Sequence, residues 1–226
     1  MKYAISANQV KNSEGSVRGF ASIVFGDSFK ITNIAILENA EKGSLFVSMP
    51  RYKSNERDED NAVVYKDVCN PITKEFREEL YGQILEAYDR AKDHVKGAKN
   101  DEVVEMPEFS VSVTPFEGEG SNIRGLARIF FEDSFIVNNV TIVQGKDNLF
   151  VAMPAYKTKQ VDEHGKPVYQ DVCYPVTKEF REKLYKEILE AYEREKEKQQ
   201  EQSQSKAEEK AKDDFVKASD KELPFR

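Results

Sequence analysis

The chain repeats itself. LFVSMPRYK at 45–53 returns as LFVAMPAYK at 149–157, and YKDVCNPITKEFREELYGQILEAYDR at 65–90 returns as YQDVCYPVTKEFREKLYKEILEAYER at 169–194. From Leu45 onward the copies keep a constant offset of 104 residues, and the variable loop inside each has the same length in both. Chance composition does not preserve register over such a span, so the chain carries two copies of one folding unit. This divides it into repeat 1 (1–92), a linker (93–105), repeat 2 (106–194) and a charged helical or disordered tail (195–226).

Within each unit, strands come first. Tyr3–Val10 reads as a strand, followed by a turn at Asn12-Ser13-Glu14-Gly15. Phe20–Phe25 and Phe29–Leu37, across Gly26-Asp27-Ser28, read as a β-hairpin, because Ile/Val/Phe-rich runs flank a short polar turn. Repeat 2 gives Leu126–Phe131 and Phe135–Val143 across Glu132-Asp133-Ser134. The loop Glu38–Ser44 is two residues longer than Gln144–Asn148, which places it on the surface. Leu45–Met49 is a further strand, stopped by Pro50 or lying at an edge. Val63–Cys69 returns as a strand, so that the two enclose a long hairpin arm, and Asn70-Pro71 breaks it. Thr73 is placed to cap a helix over Thr73–Arg90, with Glu75 in its first turn. Phe76, Leu80, Ile84 and Tyr88 recur every fourth residue beside Ala87, giving that helix one apolar face. Phe180, Leu184, Ile188, Tyr192 and Ala191 repeat the pattern. The expected class is α+β.

The net charge is −7 and neither repeat is basic, which disfavours nonspecific nucleic-acid binding driven by phosphate neutralisation. No apolar run approaches the ~20 residues of a membrane helix. MKYAISANQV lacks a signal-peptide core, so the expected compartment is the cytoplasm. Cys69 and Cys173 occupy equivalent positions and make no disulfide or metal framework; a buried apolar role is expected of both. His94 and His164 have no counterparts in the other copy. No nucleophile–base pair, carboxylate pair or metal cluster recurs, and Asp27/Asp133 and Asp67/Asp171 read as backbone hydrogen-bonding partners. The residues argue against an enzyme and against any cofactor.

Candidate binding residues are basic and aromatic. Arg51, Tyr52 and Lys53 stand at the base of one arm, Tyr156 and Lys157 at the base of the other. A cation beside an aromatic can meet a phosphate and a base together; the plain alternative is a solvated arm with its tyrosine packed on the sheet. Lys74 with Arg77, and Lys178 with Arg181, sit at the helix starts, where cations oppose the helix dipole. Either a ligand phosphate holds them, or Glu78, Glu182, Asp67 and Asp171 do.

The order hairpin, LFVxMP, variable arm, DVCxP and helix ending in AYxR resembles the SpoVG septation-regulator family. ARIFFEDSFIVNNVTIV (127–143), NLFVAMPAYK (148–157) and YQDVCYPVTKEFREKL (169–184) carry that resemblance most clearly. It covers both repeats and leaves out linker and tail. It implies, in each unit, a small antiparallel sheet with a flanking helix. Members with one unit pair as homodimers, so tandem copies are expected to pair within the chain as a pseudo-two-fold dimer, leaving a monomer in solution. It further implies a role in sporulation, septation and gene expression through DNA or RNA binding. In the family's MPSKR segment the two basic residues are adjacent; here Tyr52 and Tyr156 replace the first, and Lys53 and Lys157 keep the second. Acidic Glu56, Asp58, Glu59 and Asp60 crowd the first arm tip. A protein-interaction or scaffold module that has lost nucleic-acid binding is the second reading.

Overall fold

The computed structural model of the chain describes residues 1–10, 15–92, 106–116 and 120–219. The expected turn at 12–14, the linker and the last seven residues lie outside them. Repeat 1 contains β1 (Tyr3–Gln9), β2 (Val17–Phe25), β3 (Phe29–Glu38), β4 (Leu45–Ser48), β5 (Arg51–Arg57), β6 (Val63–Asp67), β7 (Cys69–Pro71) and α1 (Lys74–Lys92). Repeat 2 follows with β8 (Phe109–Pro115), β9 (Ile123–Phe131), β10 (Phe135–Gln144), β11 (Leu149–Ala152), β12 (Ala155–Val161), β13 (Pro167–Asp171), β14 (Cys173–Pro175) and α2 (Lys178–Ser219).

The β2–β3 hairpin turns through Gly26 and Asp27, both at positive φ (49° and 48°), the pair of left-handed residues that matches strand twist in a tight hairpin. Repeat 2 makes the same turn with Glu132 and Asp133. Each helix is capped as expected: the Thr73 and Thr177 hydroxyls accept from the backbone N–H of Phe76 and Phe180 at 3.3 Å. Leu80 and Ile84, with Leu184 and Ile188, are fully buried. The aromatic residue closing each apolar face, Tyr88 or Tyr192, lies over a glycine of the sheet. A Cβ at Gly19 would come within 2.5 Å of the Asn8 carbonyl and 2.6 Å of the Tyr88 ring, and at Gly125 within 3.1 Å of the Tyr192 ring. Helix and sheet approach this closely only because both positions lack a side chain.

Two readings of the sequence need correction. The arm is a separate two-stranded ribbon, β5 with β6 and β12 with β13. The strand before it, β4, instead stays on β3. Proline at 50 and 154 interrupts the ladder and releases the chain into the ribbon. Nor does the return strand end at Asn70-Pro71. It breaks at Val68, and Cys69-Asn70-Pro71 runs on as β7 into the sheet of the other repeat, where Pro71, Asn70 and Cys69 pair with Phe135, Ile136 and Val137. β14 returns the exchange, with Pro175, Tyr174 and Cys173 on Phe29, Lys30 and Ile31. Each sheet is therefore completed by its neighbour. The proline is tolerated because a three-residue strand end needs few donors.

The outcome is a pseudo-two-fold pair with one shared core. Phe131 of repeat 2 stacks against Phe25 and Phe29 of repeat 1 at ring-centre distances of 5.5 and 4.9 Å, and Phe135 meets Phe25 at 5.1 Å. Cys69 and Cys173 are free and fully buried beside this seam. Burial pushes both thiols well above their usual range, which keeps them neutral and unreactive.

Candidate functional site

The exchange decides where the arms stand. In each long central strand a bulge admits one extra residue, Asn33 in β3 and Asn139 in β10, both near φ +58°. The opened backbone takes up the crossing chain of the other repeat: Thr32 N–H donates to the Val172 carbonyl at 2.8 Å, and Asn138 N–H to that of Val68 at 2.7 Å. Each arm is thereby rooted against the opposite sheet.

At the base of the first arm, Arg51 Nε donates to Asp67 Oδ1 at 2.9 Å across the ribbon. On α1, Arg77 donates to the Pro71 carbonyl at 3.1 Å, and Arg181 donates to that of Pro175 at 3.3 Å. These arginines fasten the end of the exchanged strand to the helix that follows, a use the sequence reading did not foresee. Tyr81 lies in the field of both groups: burial raises its phenol, Arg77 and Arg51 oppose that, and Asp67 adds to it. Arg51 from the arm base and Arg77 from the helix start thus both act on the Tyr81 phenol. Lys74 and Lys178 reach Glu78 and Glu182 only at 3.8 and 3.7 Å, with their side chains 78 and 86 % exposed. Pairs of that kind contribute about 0.3–0.5 kcal/mol, so both ammonium groups remain available to solvent. Lys53 and Lys157 stand farther along their ribbons, exposed and opposite Tyr65 and Tyr169.

The second arm lacks the arginine, and Ala155 faces Asp171. Among the described residues Asp171 has no ion-pair partner, and partial burial pushes its carboxyl above the ordinary value. A carboxyl raised in this way favours the fold below its unfolded pKa, near 4, and that contribution is lost as pH rises through the higher folded value. Ala155→Arg should rebuild the Arg51–Asp67 pair. The expected result is a lower Asp171 pKa by NMR titration and a gain of about 0.5 kcal/mol at neutral pH, the range of exposed ion pairs, absent at pH 3. An unmoved Asp171 titration would refute the pairing.

Tyr52 and Tyr156 differ in their surroundings. Tyr156 donates its hydroxyl to Gln170 Oε1 at 2.7 Å. Tyr52 stands opposite Lys66 and lines a groove of about 430 Å³ between the first arm and the outer face of the repeat 2 sheet, whose far wall carries Arg128, Asn138 and Asn139. Sequence reasoning missed this groove. Its one signal there was disagreement between the copies, Arg128 and Lys66 matching Ser22 and Gln170. The divergent arm tips share one organiser: Asp58 accepts from the Asp60 and Ala62 N–H groups, and Asp162 from those of His164 and Lys166. His94 lies outside the described residues. Among the described residues no three His, Cys, Asp or Glu gather as a metal set, and no helix is long and apolar enough to cross a membrane.

Fold and site together define a class: a tandem α+β pair, joined by reciprocal strand exchange, with two arms projecting over opposite sheets. The chain belongs to the SpoVG family, whose model matches it twice, over residues 2–90 and 106–194. Relatives named "Putative septation protein SpoVG" include one from Phytoplasma australiense, 36% identical over 88 residues, 39% of this chain and 84% of that protein. Those of Treponema denticola and Clostridium beijerinckii are 35% identical over 75 residues and 32% over 84, covering 33% and 37% of this chain and 74% and 85% of theirs. No solved structure matches the chain.

Proposed function

We propose that the chain is a non-enzymatic SpoVG-type regulator that acts by binding DNA or RNA, in the septation context that its relatives' names carry, and that it works as a cytoplasmic monomer whose two repeats supply the family's dimer. The observation that carries the reading is the set of cations at the arm base and helix start: Arg51 and Arg77, each tied to its own strand, with exposed Lys74 and Lys53 close in sequence to them. Lys178, Arg181 and Lys157 repeat it in reduced form. Such groups supply phosphate contacts that position a nucleic acid, and the adjacent tyrosines offer stacking faces.

The test is a fluorescence-anisotropy titration with duplex DNA, single-stranded DNA and RNA from low to physiological salt. Binding should weaken with salt. Lys53→Glu with Lys157→Glu should weaken it at least tenfold and reduce the duplex salt slope by about 1.8, two phosphate contacts' worth. Unchanged affinity would remove these lysines from the interface. The second reading, a protein-interaction module, is favoured by the net charge of −7 and by the matched exposed side chains Phe46 and Phe150. It takes over if no nucleic acid binds even at low salt.

A further inference from the structure

The two arms look alike but the residues beneath them do not. Under the first arm, the Tyr52 ring and Lys66 form one wall, and Arg128 on β9 stands across from them beside the bulge amides of Asn138 and Asn139. Arg128 is exposed and, among the described residues, without an ion-pair partner. Lys66 is held by the Glu56 carboxylate, a bond that raises its pKa and keeps it charged. Asp67 also lines the groove, but its charge is met by Arg51. Under the second arm the tyrosine is retained as Tyr156, while Gln170 replaces Lys66, Ser22 replaces Arg128 and Thr32 replaces Asn138. Ala155 replaces Arg51, so Asp171 is the charge left at that position. The unpaired charge beneath the first arm is the cation Arg128, and beneath the second it is the carboxylate Asp171.

We infer that the first groove is a subsite for one unpaired nucleotide of a single strand, and that the second has lost this capacity, so that one chain takes up one strand. This rests on the nucleic-acid reading above and deepens it. The chemistry matches part by part. An aromatic face at the wall stacks a base whatever its identity. The Arg128 fork offers paired donors to a phosphate, and the Lys66 ammonium, with one of its three protons on Glu56, has donors left to join it. The Asn139 amide presents donor and acceptor together, as an exposed base edge requires, while Asn138 Nδ2 donates to the Asp67 carbonyl at 3.4 Å and leaves its oxygen to accept. A recess of about 430 Å³ walled by ribbon and sheet admits a base that has left its stack, whereas a duplex keeps its bases stacked and shows only their edges. The bulge and the exchange place the groove, which spans both repeats and exists only in the assembled pair.

The copies supply their own controls, since each groove can be given the other's residues at exposed positions. Full-length chain is titrated with fluorescein-labelled pentathymidylate and pentauridylate, affinity read by anisotropy and stoichiometry by native mass spectrometry. Wild type should bind one strand. Lys66→Gln with Arg128→Ser should weaken binding at least tenfold and lower the single-strand salt slope by about 1.4, two phosphates' worth. The reverse graft, Ser22→Arg with Gln170→Lys, should raise the stoichiometry to two. If wild type binds and neither pair of changes alters affinity or stoichiometry, the groove is not the subsite and the nucleic-acid reading stands on other residues. Wild-type binding of two strands also overturns the inference. If wild type binds no nucleic acid, both readings fall. Equal displacement of the strand by decaglutamate would make the groove a site for an acidic peptide instead.

Discussion

Residues 1–92 expressed alone should not give a folded monomer. In the intact chain the Phe29–Ile31 segment of β3 is covered by β14 from the other repeat, and Phe25 and Phe29 are fully buried against Phe131 and Phe135. Removing repeat 2 would leave an unpaired strand edge and two exposed phenylalanines, each of which contributes about 1.5–3 kcal/mol when buried. That loss is comparable with the whole stability of a small domain, about 5–15 kcal/mol. The fragment does carry its own remedy. Its β7 is the segment that matches β14, so two fragments can exchange strands as the tandem repeats do. Light scattering should show a dimer whose melting temperature falls on dilution, while the melting temperature of the full chain stays constant. Tethering supplies an effective concentration near the millimolar range, so the difference should be widest in the micromolar range and below. A monomeric fragment with full secondary structure at all concentrations would refute the shared core.

What could be read from the sequence, and what could not, divides along physical lines. The hairpins, the caps at Thr73 and Thr177 and the buried stripes Phe76–Tyr88 and Phe180–Tyr192 depend on residues a few positions apart, and local periodicity reveals them. The destination of Cys69-Asn70-Pro71 depends on a partner far along the chain, and nothing in DVCNP distinguishes a strand that stops from one that crosses. Pro71 even argues locally for a stop. Pairing of the repeats was legible only through the family resemblance. The candidate site followed a different rule. Positions agreeing between copies pointed to Lys74, Arg77, Lys178 and Arg181, and the structure uses both arginines to tie strand to helix. Agreement inside a duplicated chain reports what both folds need. No such agreement marks Arg128 and Lys66, which match Ser22 and Gln170, yet divergence is where one half of a symmetric assembly can specialise.

Replacing Phe131 by alanine should destabilise both halves at once. Its ring is fully buried and lies between Phe25 and Phe29, while Phe29 continues to Phe180 at 6.3 Å and Phe180 to Phe109 at 5.4 Å. This chain of rings runs from the first sheet through the seam to the second helix. Truncating a buried phenylalanine costs about 3–5 kcal/mol, from lost transfer energy and the cavity left behind. The rigid strands on both sides of the seam leave little room for collapse, which favours the upper part of that range. In two independent domains such a change would split the melting curve, one half unchanged and the other shifted down. Here the rings that face the cavity, Phe25 and Phe29, belong to repeat 1 and the truncated residue to repeat 2, so one transition should shift as a unit. Calorimetry distinguishes these outcomes: a single peak displaced by several degrees supports the shared core, and two peaks would mean that each repeat holds itself together.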